Sequence, residues 1–208
     1  MSLDPNTARE DLAFMRALVD ETGSNDRSTG IVYGAAGLLY GIQCLLNWAL
    51  LAGNINASQL VWLAIGILPT AIFLIINVSY VWSNRSAPFG NGAAQRALQA
   101  VFAGGGIANA IMALLFGWVA FQKQDWSIWF LFPVVVAAFQ GAIWFAAMII
   151  RKRAWYGWTA VGWFVSTIVL GLLIDQTNTY ILALGIVMIL CMGVPGYVMI
   201  RNANAESD

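Results

Sequence analysis

Ten polar side chains lie deep within long apolar runs: Gln43, Asn47, Thr70, Asn77, Ser79, Gln99, Asn109, Gln140, Ser166 and Thr167. None of them ionises. Proton-coupled pumps and transporters normally carry an acid, a base or a histidine relay inside the membrane, and that machinery has no carrier here. Histidine is absent from the whole chain. Its absence removes histidine-ligated haem, His-based zinc sites, His general bases and Ser-His or Cys-His nucleophile pairs together. Cys44 and Cys191 each sit inside an apolar run and read as small packing residues rather than as a disulfide or a metal site. There is no Gly-x-Ser-x-Gly, no Walker-type loop and no pair of intramembrane carboxylates. Asp125 and Asp175 are single loop acids. The expectation is a protein without catalytic residues, metal ligands or cofactor. The amides remain. Gln43, Asn77, Asn109 and Gln140 are candidates for lining a cavity. Hydrogen bonding between helices, at about 0.6 kcal/mol and at most about 2 kcal/mol each, is their plainer role.

The elements that must hold these groups follow from composition. Of 208 residues, 60% are apolar and 10% charged, and the mean hydropathy is +0.73. A soluble domain of this size cannot hide so much apolar surface, whereas a bilayer covers it. Formal net charge is zero, which offers nothing to nucleic acid. A spanning helix needs about 20 mainly apolar residues. Six stretches meet or approach this, at 30–53, 58–82, 97–121, 128–150, 158–174 and 180–200. The fold class expected is an all-α integral membrane protein, a six-helix bundle, with 1–29 and 201–208 outside the membrane.

Basic residues set the orientation. Arg9, Arg16 and Arg27 precede the first span, Arg85 and Arg96 separate spans two and three, Arg151, Lys152 and Arg153 separate four and five, and Arg201 follows six. Only Lys123 falls on the other side. Both termini are therefore expected in the cytoplasm and the protein in the inner (cytoplasmic) membrane, with lipid as its first partner. Trp48, Trp62, Trp118, Trp126, Trp129 and Tyr180 fall at the expected outer interface, and Trp82, Trp155, Tyr156, Trp158 and Tyr197 at or near the inner one. Their rings favour headgroup level.

Residues 7–22 read as an amphipathic cytoplasmic helix. Thr7 and Glu10 have capping-box spacing and Gly23 supplies a stop. Ala8, Leu12, Met15 and Val19 make an apolar stripe, widened by Phe14 and Leu18. Segment 1–29 holds six acids and three bases, a net charge of −3. Anionic inner-leaflet lipid repels such a segment, so docking on protein is favoured. The sites open to it are this chain's own bundle, with Arg151, Lys152 and Arg153 as an electrostatic counterpart, or a partner that binds Leu12, Met15 and Val19.

In lipid, close helix contact relies on small residues. Gly34, Gly37, Gly41 and Cys44 share a face of span one, and a shift of sixty-nine positions lands on Ala103, Gly106, Ala110 and Ala113 of span three. Gly34, Gly37, Gly41, Gly106 and Ala110 are therefore expected to pack helices, within the bundle or in a homo-oligomer. Pro69 and Pro195 predict local distortion, and Gly104-Gly105-Gly106 a loosened third span. Two functions fit this pattern. One is a non-catalytic accessory or regulatory subunit engaging a protein partner. The other is a channel or uniporter for a small neutral solute, which a continuous polar cavity lined by the four amides would favour.

Overall fold

The computed structural model describes residues 5–83 and 93–205. Among these residues every regular element is helical. They are α1 (Pro5–Ala52), α2 (Gln59–Ser83), α3 (Ala93–Lys123), a short 3₁₀ turn (Trp126–Phe130), α4 (Leu131–Arg151), α5 (Ala154–Leu172), α6 (Thr177–Met188), a π turn (Ile189–Gly193) and α7 (Val194–Ala205). Among the described residues six stretches are long and apolar enough to cross a membrane: Arg27–Ala52, Gln59–Tyr80, Arg96–Lys123, Trp126–Arg151, Ala154–Leu172 and Thr177–Ala205. The protein is a helical membrane bundle. An even number of crossings brings both termini to one end, called here the terminal end.

Two expected interruptions are absent. α1 is one helix of 48 residues running through Gly23, and no glycine among the described residues has positive φ. A glycine stop requires the left-handed conformation. Inside a continuing helix glycine costs only about 1 kcal/mol, which the span beyond it outweighs. Helix formation also begins at Pro5, a residue suited to the first turn, so Thr7 lies within the helix rather than at its cap. α3 likewise runs unbroken through Gly104-Gly105-Gly106, because in lipid an intact backbone ladder is the only cheap state.

The sixth span does break its pattern. Pro195 has no N–H, and its ring crowds the carbonyl one turn earlier. The chain widens into the π turn Ile189–Gly193, where Val194 N–H donates to the Ile189 carbonyl five residues back. The loops close with residues in the left-handed region, Asn54 (φ 47°), Gln124 (φ 52°) and Lys152 (φ 53°). Lys152 ends α4 by donating its N–H to the Met148 carbonyl at 2.8 Å. Asp125 caps the 3₁₀ turn, accepting from Ser127 N–H at 2.9 Å and from its Oγ at 2.6 Å. These bonds favour the carboxylate and hold the exposed Asp125 below the ordinary aspartate range.

Packing is uneven. α1 lies between α2 on one side and α6 with α7 on another, α4 pairs with α5, and α3 leans on α4. Among the described residues α2 has no buried side chain and α3 buries Leu98 and Ala120, so side chains such as Leu60, Ile67, Ile75, Ile107 and Leu114 are left to lipid. The closest seam joins α1 to α6 and α7, where glycines face glycines. A Cβ on Gly37 would strike the Gly193 backbone nitrogen, and one on Gly41 would come within 2.6 Å of Ile189 Cγ1 and 3.2 Å of the Gly185 carbonyl. One on Gly30 would lie 2.8 Å from the Gly196 carbonyl. Span three does not repeat this arrangement. Gly106 and Ala110 are exposed, and a Cβ on Gly106 would meet nothing within 4 Å. The sequence echo reflects composition rather than a shared packing role.

Gly37→Leu should therefore destabilise the bundle by overpacking, about 1–3 kcal/mol or more, lowering its thermal midpoint in detergent. Gly106→Leu should leave the midpoint close to that of the unmodified protein. Equal responses at the two positions would contradict the seam.

Candidate functional site

The same seam fixes Tyr33. It lies one turn from both Gly30 and Gly37 on α1, and its backbone position follows from theirs. Its hydroxyl accepts two indole N–H bonds, from Trp144 Nε1 of α4 at 2.6 Å and from Trp163 Nε1 of α5 at 3.1 Å. All three side chains are buried, at 8%, 0% and 1% exposure. Phe102 of α3 closes the group edge-on, 5.6 Å from the Trp144 ring and 6.5 Å from Tyr33. Tyr156 lies 5.3 Å from Trp144, with the Trp155 ring tilted against it at 4.1 Å. One phenol oxygen thus gathers α1, α4 and α5, and ring contacts add α3. With both lone pairs engaged, that oxygen is a tie, not a nucleophile or a base.

A second tie stands near the opposite end. Tyr180 is fully buried, donates to the Phe130 carbonyl at 2.6 Å and packs its ring 5.1 Å from Phe130. Tyr180 and Tyr156 were expected as interfacial anchors and are instead core residues. Tyr180 has a protein acceptor for its hydroxyl, which removes the need for headgroup water. Trp62, Trp82, Trp118, Trp126, Trp129 and Trp158 do remain exposed. Sequence reasoning missed Tyr33, Trp144 and Trp163. Depth was the available signal: a tryptophan well inside a span needs a partner for its N–H, and Trp144 and Trp163 both lie well inside theirs.

The hydroxyls within the spans are mostly absorbed by their own helices. Ser166 donates to the Gly162 carbonyl at 2.7 Å and Thr167 to that of Trp163 at 3.0 Å. Cys191 Sγ lies 3.9 Å from Ser166 Oγ, and both cysteines are free. Among the described residues no three Cys, Asp or Glu side chains gather as a metal site.

The four amides divide between two helix pairs. Gln43 reaches from α1 to the Gly66 carbonyl of α2 at 3.5 Å, and Asn77 also lies on α2. Asn109 and Gln140 belong to α3 and α4. α2 packs on α1 and makes no substantial contact with α3 or α4. Asn109 Oδ1, Gln140 Oε1 and Gln99 Oε1 are buried without a hydrogen-bond partner, as is Trp155 Nε1. Gly34, Gly37 and Gly41 lie on the α6–α7 seam already described. Leu12, Met15 and Val19 fall on α1, but their side chains lie outside the described residues, as do any contacts they make with Arg151, Lys152 or Arg153.

No family model matches the chain, and no curated protein or solved structure does either.

Tyr33→Phe keeps the ring and removes the shared acceptor. Two buried indole N–H groups then lose their partner, at about 1–3 kcal/mol for each donor left unsatisfied. The thermal midpoint should fall, and the indole hydrogen-bond marker in ultraviolet resonance Raman spectra should shift toward that of a free N–H. An unchanged marker would contradict the assignment.

Proposed function

We propose that this protein is a non-catalytic accessory or regulatory membrane subunit that engages a protein partner through the part of α1 beyond the bilayer. In this reading both termini face the cytoplasm and the membrane is the inner one. The orientation rests on the basic residues, nine of ten of which fall on the terminal side.

One observation carries the reading: α1 is a single helix from Pro5 to Ala52, while the long apolar run in its sequence begins only at Gly30, after the charged residues of 1–29. The amphipathic segment thus continues, without a break, the helix that bears Tyr33 and the glycine seam. Five turns of α-helix take eighteen residues, so positions 12 and 19 fall on the same face as Gly30 and Gly37. The α1 face that meets α7 within the bundle continues outward as the stripe of Leu12, Met15 and Val19. α7 does not reach it. With Gly30 against Met199 and Ile200, and the two helices antiparallel, Ala205 comes level with about residue 25. The net charge of −3 over residues 1–29, six acids against three bases, suits a basic partner surface better than anionic lipid. A load on the stripe would act directly on the helix that holds the Tyr33 tie.

Trypsin, which can cut at Arg9 and Arg16, tests this reading on membrane vesicles of defined sidedness. Cleavage within residues 1–29 should occur in inverted vesicles and not in right-side-out ones. Leu12→Asp with Met15→Asp should leave the six spans inserted, speed that cleavage and release a co-purifying partner. Cleavage from the outer face would overturn the orientation. Cleavage already fast in the unmodified protein, with no partner lost on mutation, would overturn the docking role.

A further inference from the structure

The amides of Asn109 and Gln140 stand unused in a place where an unused amide is expensive. Gln140 is 8% exposed, and its Oε1 has no partner, nor has the buried Oδ1 of Asn109. Helices α3 and α4 run antiparallel on either side of the Gln124–Asp125 turn. Phe102 meets Trp144, a Cβ on Gly105 would run into Ile143, and Phe116 meets Phe132 with centroids 6.2 Å apart. Asn109 is one turn on from Gly105, and Gln140 one turn back from Ile143. This register brings the two amides to the same level, about halfway along both helices.

They also share an interface. Leu98, Phe102, Gly105, Asn109 and Phe116 recur at helical spacing on α3, and this is the face whose rings and Gly105 contact α4. On α4, Gln140 falls between the buried Val136 and Ile143. The neighbours on this shared face are apolar, Phe102 and Gly105 on α3 and Val136 and Ile143 on α4. Two carbonyl oxygens are too few for a hard cation, which takes six or more, but they match the two hydrogens of one water molecule. A buried water typically serves polar groups left over in this way.

The geometry points to a binding site for a single water molecule between α3 and α4, donating one hydrogen to Asn109 Oδ1 and the other to Gln140 Oε1. The site makes a polar clamp of a helix pair whose α3 side is otherwise open to lipid. It is independent of the accessory-subunit reading, and its failure would leave that reading untouched.

The test uses the full chain in lipid bilayers. Infrared spectra in heavy water should contain a narrow O–D band that moves when the solvent oxygen is exchanged for oxygen-18. That band should be lost in both Asn109→Leu and Gln140→Leu, because each removes one of its two acceptors. Thermal unfolding in detergent should show a lower midpoint for each single variant and little further fall for the double variant. Gln140→Met, which keeps the side-chain length, replaces Gln140→Leu if that variant fails to fold. No isotope-sensitive band lost on substitution would overturn the proposal. Non-additive midpoints without the band would do so too, since they would mean a direct Asn–Gln bond. Midpoints raised by the apolar variants would mean empty, unpartnered amides.

Discussion

The bundle depends on one oxygen. In lipid, apolar side chains gain little by meeting one another rather than acyl chains, so hydrophobic burial cannot by itself select which helices associate. Selection falls to close backbone approach and to polar groups that have no water to turn to. Tyr33 combines the two. The glycines around it bring α1 against α6 and α7, and its hydroxyl then serves both Trp144 and Trp163. That shared acceptor gives the α4–α5 pair a directional bond to α1, in a medium where apolar contacts discriminate poorly. Tyr180 repeats the device toward the other end, with a backbone carbonyl in place of the indoles.

Much of the architecture was legible in the sequence because lipid imposes a simple rule. Long apolar runs free of charge become helices, and six helices long and apolar enough to cross a membrane are present among the described residues, the first of them continuing back to Pro5. The glycine face of span one was legible too. Its counterpart on Gly185, Gly193 and Gly196 was not, because a linear pattern shows that a face exists without showing what it meets. For the same reason Gly106 and Ala110, which match the span-one pattern residue for residue, end up facing lipid. Tyr156 and Tyr180 were misplaced by a rule of depth: aromatic residues near a span end usually seek headgroups, and these two found protein instead. Gly23 shows the weakness of a local stop signal beside a long membrane helix.

The candidate site was less legible than the fold. Its members lie far apart in sequence, with Tyr33 separated by more than a hundred residues from each indole it serves. The polar groups that did stand out, Asn109 and Gln140, proved notable for what they lack. The proposed partner role rests on the continuity of α1. α1 is one helix from Pro5 to Ala52 and bears both the glycine seam and the buried Tyr33 hydroxyl.

The central claim, that one buried hydroxyl ties α1 to α4 and α5, is tested most directly at the indole protons. Nuclear magnetic resonance of the protein labelled with nitrogen-15 at tryptophan reads the exchange of each Nε1 proton with solvent. The account predicts that Trp144 and Trp163 exchange far more slowly than the exposed Trp82, Trp126 and Trp158, and that both lose this protection together when the Tyr33 hydroxyl is removed. Fast exchange at either indole in the unmodified protein, or protection that survives loss of the hydroxyl, would contradict it.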